Sequence, residues 1–202
     1  MNLFDQENTN HNILPYQGEA IYYGFALSQN QADNYFNTLL NNVAWQNDQV
    51  IIFGKLITTK RKMAWYGSKP FKYSYSNTHK IAIPFTPELL ELKAIVEKIS
   101  GFTYNSCLLN LYHSGEEGMS WHTDNEKELE KNGAIASLSL GATRIFSFKN
   151  KQTKYKIDVV LHPGSLLVMQ GDTQQHWLHS LPTTKKVTQP RINLTFRTIV
   201  AL

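Results

Sequence analysis

The stretch Arg191–Arg197 reads RINLTFR, close to the end of a chain of 202 residues. Ile192, Leu194 and Phe196 share one parity; Arg191, Asn193, Thr195 and Arg197 share the other. Such alternation marks a strand with one face on a core and the other free for polar work. Two inward guanidiniums must be neutralised, because an unpaired buried charge costs several kcal/mol. Salt bridges to the protein's own carboxylates would do it, and so would a dianionic ligand gripped bidentately by the planar forks. Six residues at ~3.3 Å put the arginines roughly 20 Å apart, so both reach one small molecule only if they lean inward.

Upstream, short strands are expected over 105–112, 134–140, 143–149, 156–161 and 166–170, with a Pro-Gly turn in LHPGS at 161–165. No long helix is expected after Tyr104. Before it, 20–26 (AIYYGFA) reads as a strand, and Ala32, Tyr35, Phe36, Leu39, Leu40 and Val43 recur at helical spacing over 31–43. A second helix is capped by Thr86, opens on Pro87 and Glu88, and stops at Gly101. Residues 1–18 are polar and read as a loose arm, leaving 19–202 as one domain. Helices followed by a run of short strands predict an α+β protein with a jelly-roll core over about 104–202 and helices packed on one sheet. Such cores hold small sites in the barrel mouth.

The chain is 42% hydrophobic with a single cysteine, Cys107, inside NSCLLNLY. That excludes a disulfide framework or a cysteine zinc cluster and reads as a buried, inert thiol in a reducing compartment. No apolar run approaches the ~20 residues of a membrane span, and the polar start is not a signal peptide. A bacterial cytoplasm is the expected location, with a nucleus the alternative for a eukaryotic source; a monomer is expected. The net charge is only +4, but no acid lies between Asp48 and Glu88. Seven Lys and Arg residues there, Arg61 among them, interleave with aromatics that include Phe53, Trp65, Tyr66, Tyr73 and Tyr75. A solvated basic face fits this, and so does a nucleic-acid surface.

Residues 119–129 read MSWHTDNEKEL. In an extended chain His122 and Asp124 face one point and Thr123 turns away. The pair could hold a metal, share a proton or bond each other. His176 and His179 follow in QQHWLHSLP. His-x-Asp with a distant histidine has the composition of the two-His-one-carboxylate triad that binds non-haem Fe(II) and leaves one face open. Asn110 and Tyr112 add a polar pair on the strand LLNLY. Iron ligands beside a cradle for a dianion point to an oxygenase using 2-oxoglutarate.

NLYHSGEEGMSWHTDNEKEL, IASLSLGATRIFSFK, HPGSLLVMQGDTQQHWLHSLP and PRINLTFR resemble, in order and spacing, blocks of the AlkB family of Fe(II)/2-oxoglutarate nucleic-acid demethylases. IIFGK and KRKMAWYG look closer to its duplex-DNA repair branch. The resemblance implies iron on His122, Asp124 and His179, with His176 structural. It implies 2-oxoglutarate held by Arg191 at its far carboxylate and by Arg197, Asn110 and Tyr112 at its chelating end, with Asn193 and Thr195 on the same face. O2 would be the oxidant, and DNA, duplex or single-stranded, the partner, with RNA, another substrate or a non-catalytic module as rivals. The products would be formaldehyde, succinate and CO2. It also implies a nucleotide-recognition lid over about 50–85. A flipped 1-methyladenine or 3-methylcytosine would lie between Tyr75, with Tyr73 alongside, and the iron-bound His122, while Phe53 wedges into the duplex and Tyr66 contacts substrate. Arg61 would meet phosphates, and Glu126 would make a polar contact. Ile57 and Asn125 depart from the pattern, where relatives carry a tryptophan and an acid.

Overall fold

The computed structural model describes residues 10–52, 55–75 and 78–200; of these, the side chains of 49–52, 55–57, 72–75 and 78–80 are outside the description. The strand read from RINLTFR, β14 (Arg191–Arg197), sits inside the larger of two sheets. It lies between β7 (Ser106–Tyr112) and β9 (Ile135–Gly141), antiparallel to both. Register places Arg191 opposite Tyr112, and Asn193 between Asn110 and Ser139. Directly opposed residues share a face. One side of these three strands therefore carries a polar row: Asn110, Tyr112, Ser137, Ser139, Arg191, Asn193, Thr195 and Arg197.

The other side is apolar. Ile192, Leu194 and Phe196 join Leu109, Leu111, Leu138 and Leu140 in a core closed by two helices. The first, α1 (Gln29–Asn42), begins two residues before the expected span because Ser28 and Gln31 form a reciprocal capping box. The second, α2 (Pro87–Ser100), starts as expected, with Thr86 accepting from Leu89 N–H, and ends at Gly101 with φ 77°. Each fully buried Leu or Phe here stabilises the fold by roughly 1.5–3 kcal/mol.

The larger sheet runs from β1 (Glu19–Phe25) through β12 (Ser165–Gln170), β9, β14 and β7 to β3 (Lys55–Gly67) and β2 (Gln46–Ile52). The smaller has the order β11 (Lys156–Leu161), β10 (Arg144–Asn150), β13 (Trp177–Leu181), β8 (Met119–His122). Between them Ile135, Leu167 and Met169 pack on Phe148, Leu161 and Trp177. Two facing antiparallel sheets with helices on one of them make the α+β jelly roll that the strand pattern predicts. A two-stranded hairpin, β4 (Lys72–Tyr75) with β5 (Thr78–Ile81), and the short β6 (Ile83–Pro84) lead into α2. One local reading needs correction. The strand read through 119–129 ends at His122, so Asp124 lies in coil. One helical turn, α3 (Thr173–His176), precedes β13. No helix among the described residues is long and apolar enough to cross a membrane.

Candidate active site

β8 and β13 pair with His122 directly opposite His179, which brings their rings edge to face at 4.2 Å between centroids. Asp124, two residues past the end of β8, turns back so that its Oδ1 lies 3.7 Å from His122 Nε2. One donor atom from each of the three falls within 4.8 Å of the others. His122 Nδ1 lies 2.8 Å from the Ser120 carbonyl oxygen. A carbonyl only accepts, so Nδ1 carries the proton and Nε2 is left as the donor atom toward Asp124.

His179 is 3% exposed and stacks on Phe146 with centroids 5.4 Å apart. Burial pushes its imidazole down to about 4, against the pull of Asp124 and with a further push from His122, so it is neutral at pH 7. Its buried Nδ1 has no hydrogen-bond partner. For Asp124, burial favours the neutral acid, but electrostatic attraction to His179, Arg197 and His122 outweighs it and holds the carboxyl below its ordinary range. Two imidazole nitrogens and an ionised carboxylate are the donor set of a non-haem Fe(II) site. The orphaned nitrogen and the three-sided geometry fit that ion.

Behind the triad lies an inner cavity of about 70 Å³. Arg191, Asn193 and Thr195 line it with Asn110, Tyr112 and Ser137, while His122, Asp124 and His179 close one side. Arg191 is 2% exposed, and its Nη2 donates to Ser139 Oγ at 2.8 Å and Asn193 Oδ1 at 2.7 Å. Its Nε has no partner, and no carboxylate among the described residues pairs with it. Burial lowers its pKa to about 10; Tyr112 partly offsets this and Arg144 adds to it. A desolvated cation facing a small polar cavity is an anion site.

Arg197 lies on the outer side of the triad. It is absent from the inner lining; its Nη1 lies 3.9 Å from Glu126 Oε1, and its charge acts on Asp124. The roughly 20 Å expected between the two arginines thus divides them between two compartments.

An outer cavity of about 110 Å³ adjoins the first, sharing Leu108, Asn110, Met119, His122 and Asp124. Arg61, Met63 and Trp65 line it from β3, Asp48 from β2, and Thr123, Glu126 and Arg197 complete it. Three expectations change here. Thr123 faces this cavity instead of turning away, because the strand has already ended. Tyr66 is not a substrate contact: strand parity turns it into the helix-side core, 3% exposed, where its hydroxyl accepts from Ala44 N–H at 3.3 Å. Arg61 is not a surface phosphate contact: it is buried, ion-paired with Asp48, and its Nη1 lies 3.1 Å from Met119 Sδ.

Phe53 lies outside the described residues, as do the side chains of Tyr73 and Tyr75, whose backbone forms β4. Asp48, Met63, Trp65 and Leu108 were missed. Parity along β3 from Arg61 would have found Met63 and Trp65; nothing local marks Asp48. Cys107 is buried and burial raises its thiol pKa, which keeps it unreactive.

Residues 19–197 match the 2OG-Fe(II) oxygenase superfamily. The chain is 37% identical over 189 residues to the bovine protein named DNA oxidative demethylase ALKBH2, covering 88% of this chain and 68% of that one. With the human protein of the same name identity is 37% over 195 residues, 91% of this chain and 75% of the relative. The bovine alpha-ketoglutarate-dependent dioxygenase alkB homolog 3 is 36% identical over 182 residues, 84% of this chain and 62% of its own length. In shape, the solved structure of OsALKBH1 superposes with a TM-score of 0.62 at 17% identity, over 92% of this chain and 98% of the other. That last likeness bears on the fold alone.

Proposed function

The chain belongs to the AlkB family within the 2OG-Fe(II) oxygenase superfamily, and on that premise we propose that this Fe(II)- and 2-oxoglutarate-dependent dioxygenase removes N-linked methyl groups from DNA bases such as 1-methyladenine and 3-methylcytosine. The observation that carries the proposal is one metal-donor triad at the junction of two chemically different cavities. The names of the bovine and human ALKBH2 relatives support DNA as the substrate.

His122, Asp124 and His179 hold Fe(II). Bound there, Fe(II) with 2-oxoglutarate and O2 supplies the oxidising power that hydroxylates the methyl carbon, giving succinate and CO2, after which the hydroxymethyl group leaves as formaldehyde. The unpartnered Nε of Arg191, with its Nη1, would bind the far carboxylate, while Ser139 and Asn193 fix the guanidinium through Nη2. Asn110, Tyr112 and Thr195 orient the rest of the co-substrate within the inner cavity. In the outer cavity Met63, Trp65, Leu108 and Met119 exclude water and give a flat base an apolar wall. The carboxylates of Asp48 and Glu126 in that wall stand beside Arg61 and Arg197, so the base meets ion-paired polar edges around an apolar wall. Arg197 steadies Asp124 and Glu126 from the side.

A domain over 19–202 would act as a monomer, with about 50–85 closing over the extruded base. Extrusion costs least for a lesion that pairs poorly, which adds selectivity. The test is formaldehyde release from methylated DNA, RNA and peptide. Release from DNA by the wild type, lost in Asp124→Ala, is expected. Release from RNA or peptide alone would move the substrate, and no turnover of 2-oxoglutarate with Fe(II) would remove the enzyme.

A further inference from the structure

Two of the three metal donors stand on paired strands, and the third does not. His122 and His179 face each other across the β8–β13 ladder, but Asp124 lies in coil past the end of β8. A carboxylate on coil needs an external brace to hold a donor geometry. The brace comes from fifty residues away: the Asp124 backbone N–H donates to Gln174 Oε1 at 3.0 Å. An N–H can only donate, so the amide oxygen of Gln174, not its NH2, must face Asp124. The NH2 in turn meets Met169 Sδ at 3.6 Å.

Gln174 sits on a turn that is itself pinned on two sides. Lys151 Nζ donates to the Gln174 carbonyl at 2.9 Å, and Lys151 N–H to that of His176 at 2.8 Å. On the other side the Thr173 hydroxyl accepts from Glu19 N–H at 2.8 Å and donates to the Gln170 carbonyl at 2.6 Å. Gly18 lets β1 approach that closely, since a Cβ there would come within 3.0 Å of Thr173 Cα. The same turn, α3, feeds directly into β13 and His179. One anchored turn thus reaches both the carboxylate donor and the distal histidine.

We propose that Gln174 is a positioning residue for the metal centre, fixing the Asp124 carboxylate relative to His179 through the Asp124 backbone. The proposal rests on the triad being the metal site and not on the identity of the substrate. It is tested by titrating the metal-free full chain with Co(II), read by visible absorption, beside amide hydrogen exchange at Asp124. Gln174→Met keeps the size of the side chain and removes the acceptor; Gln174→Glu keeps an acceptor oxygen. The Met variant is expected to bind Co(II) roughly tenfold more weakly, with faster exchange at Asp124, and the Glu variant to regain wild-type affinity. Unchanged Co(II) affinity in the Met variant would overturn the proposal. Equal losses of thermal stability in both variants, with no change in Co(II) spectrum or affinity, would overturn it too, by making Gln174 part of the turn only. His122→Ala separates the two levels: if it too leaves Co(II) binding intact, the metal-site reading itself fails.

Discussion

The inner and outer cavities share His122 and Asp124 of the triad but are built in different ways. The inner one takes its polar walls from β7, β9 and β14, each flanked by strands on both sides, so the ladder fixes where every side chain points. The outer one is lined by β3, by β2 at the sheet edge and by the coil after β8. One compartment is therefore set by register, the other by pairwise contacts such as Asp48 with Arg61 and Glu126 with Arg197. The first suits a constant co-substrate, and the second suits a wall that can vary with the lesion.

The comparison breaks first at the triad. Asp124→Ala should lower formaldehyde release more than about a hundredfold, since loss of a contact outside the donor shell alone costs 10–100-fold. Next comes Arg191→Met. Losing a charge-assisted grip should weaken 2-oxoglutarate by about a hundredfold, from the 2–5 kcal/mol such truncations cost. The ligand-free protein should lose little thermal stability, because no carboxylate balances the buried cation and the relief of desolvation offsets its lost hydrogen bonds to Ser139 and Asn193. A large drop in ligand-free stability would show the cation to be compensated from within.

Neighbouring residues on β3 sharpen the contrast. Tyr66→Ala should cost about 3–5 kcal/mol of stability, as large-to-small aromatic changes in cores do. Trp65→Ala should instead raise the KM for the methylated oligonucleotide and leave the KM for 2-oxoglutarate unchanged. Chemical denaturation and steady-state kinetics on the pair check this.

Acid sharpens it further. His179 titrates near 4 in the folded chain and 6.5 unfolded, so between those values the unfolded state binds the extra proton. Stability of the metal-free protein should fall as pH drops from about 6.5 to about 4, by up to about 3 kcal/mol, and His179→Gln should flatten that slope. The smallest effect is expected at Arg61. With its guanidinium on Asp48, Arg61→Gln should leave the salt dependence of DNA binding unaltered; a slope reduced by about one would return it to a phosphate.

Legibility followed the same division. Alternation in RINLTFR and in SCLLNLY carries through to the structure, because central strands obey period two. The second helix was readable from Thr86, Pro87 and Gly101; the first was readable from apolar spacing alone, to within two residues at its start, where the Ser28 cap went unread. The triad was legible as residue types; its geometry was not, since Asp124 leaves the strand. The roles expected of Tyr66 and Arg61 came with the resemblance, and a basic, aromatic window looks like a surface until parity and an ion pair are known. The partnership of Gln174 with Asp124, like that of Asp48 with Arg61, has no local signal, being made only when distant segments meet.

The most direct test of the account is an anaerobic titration with Fe(II) and 2-oxoglutarate, followed by the visible charge-transfer absorption that a 2-oxo acid gives on chelating Fe(II). The account predicts the band in the wild type, its loss in Asp124→Ala, and a shift to higher 2-oxoglutarate concentration in Arg191→Met. A wild-type chain that gives no band, or a band indifferent to both substitutions, would contradict it.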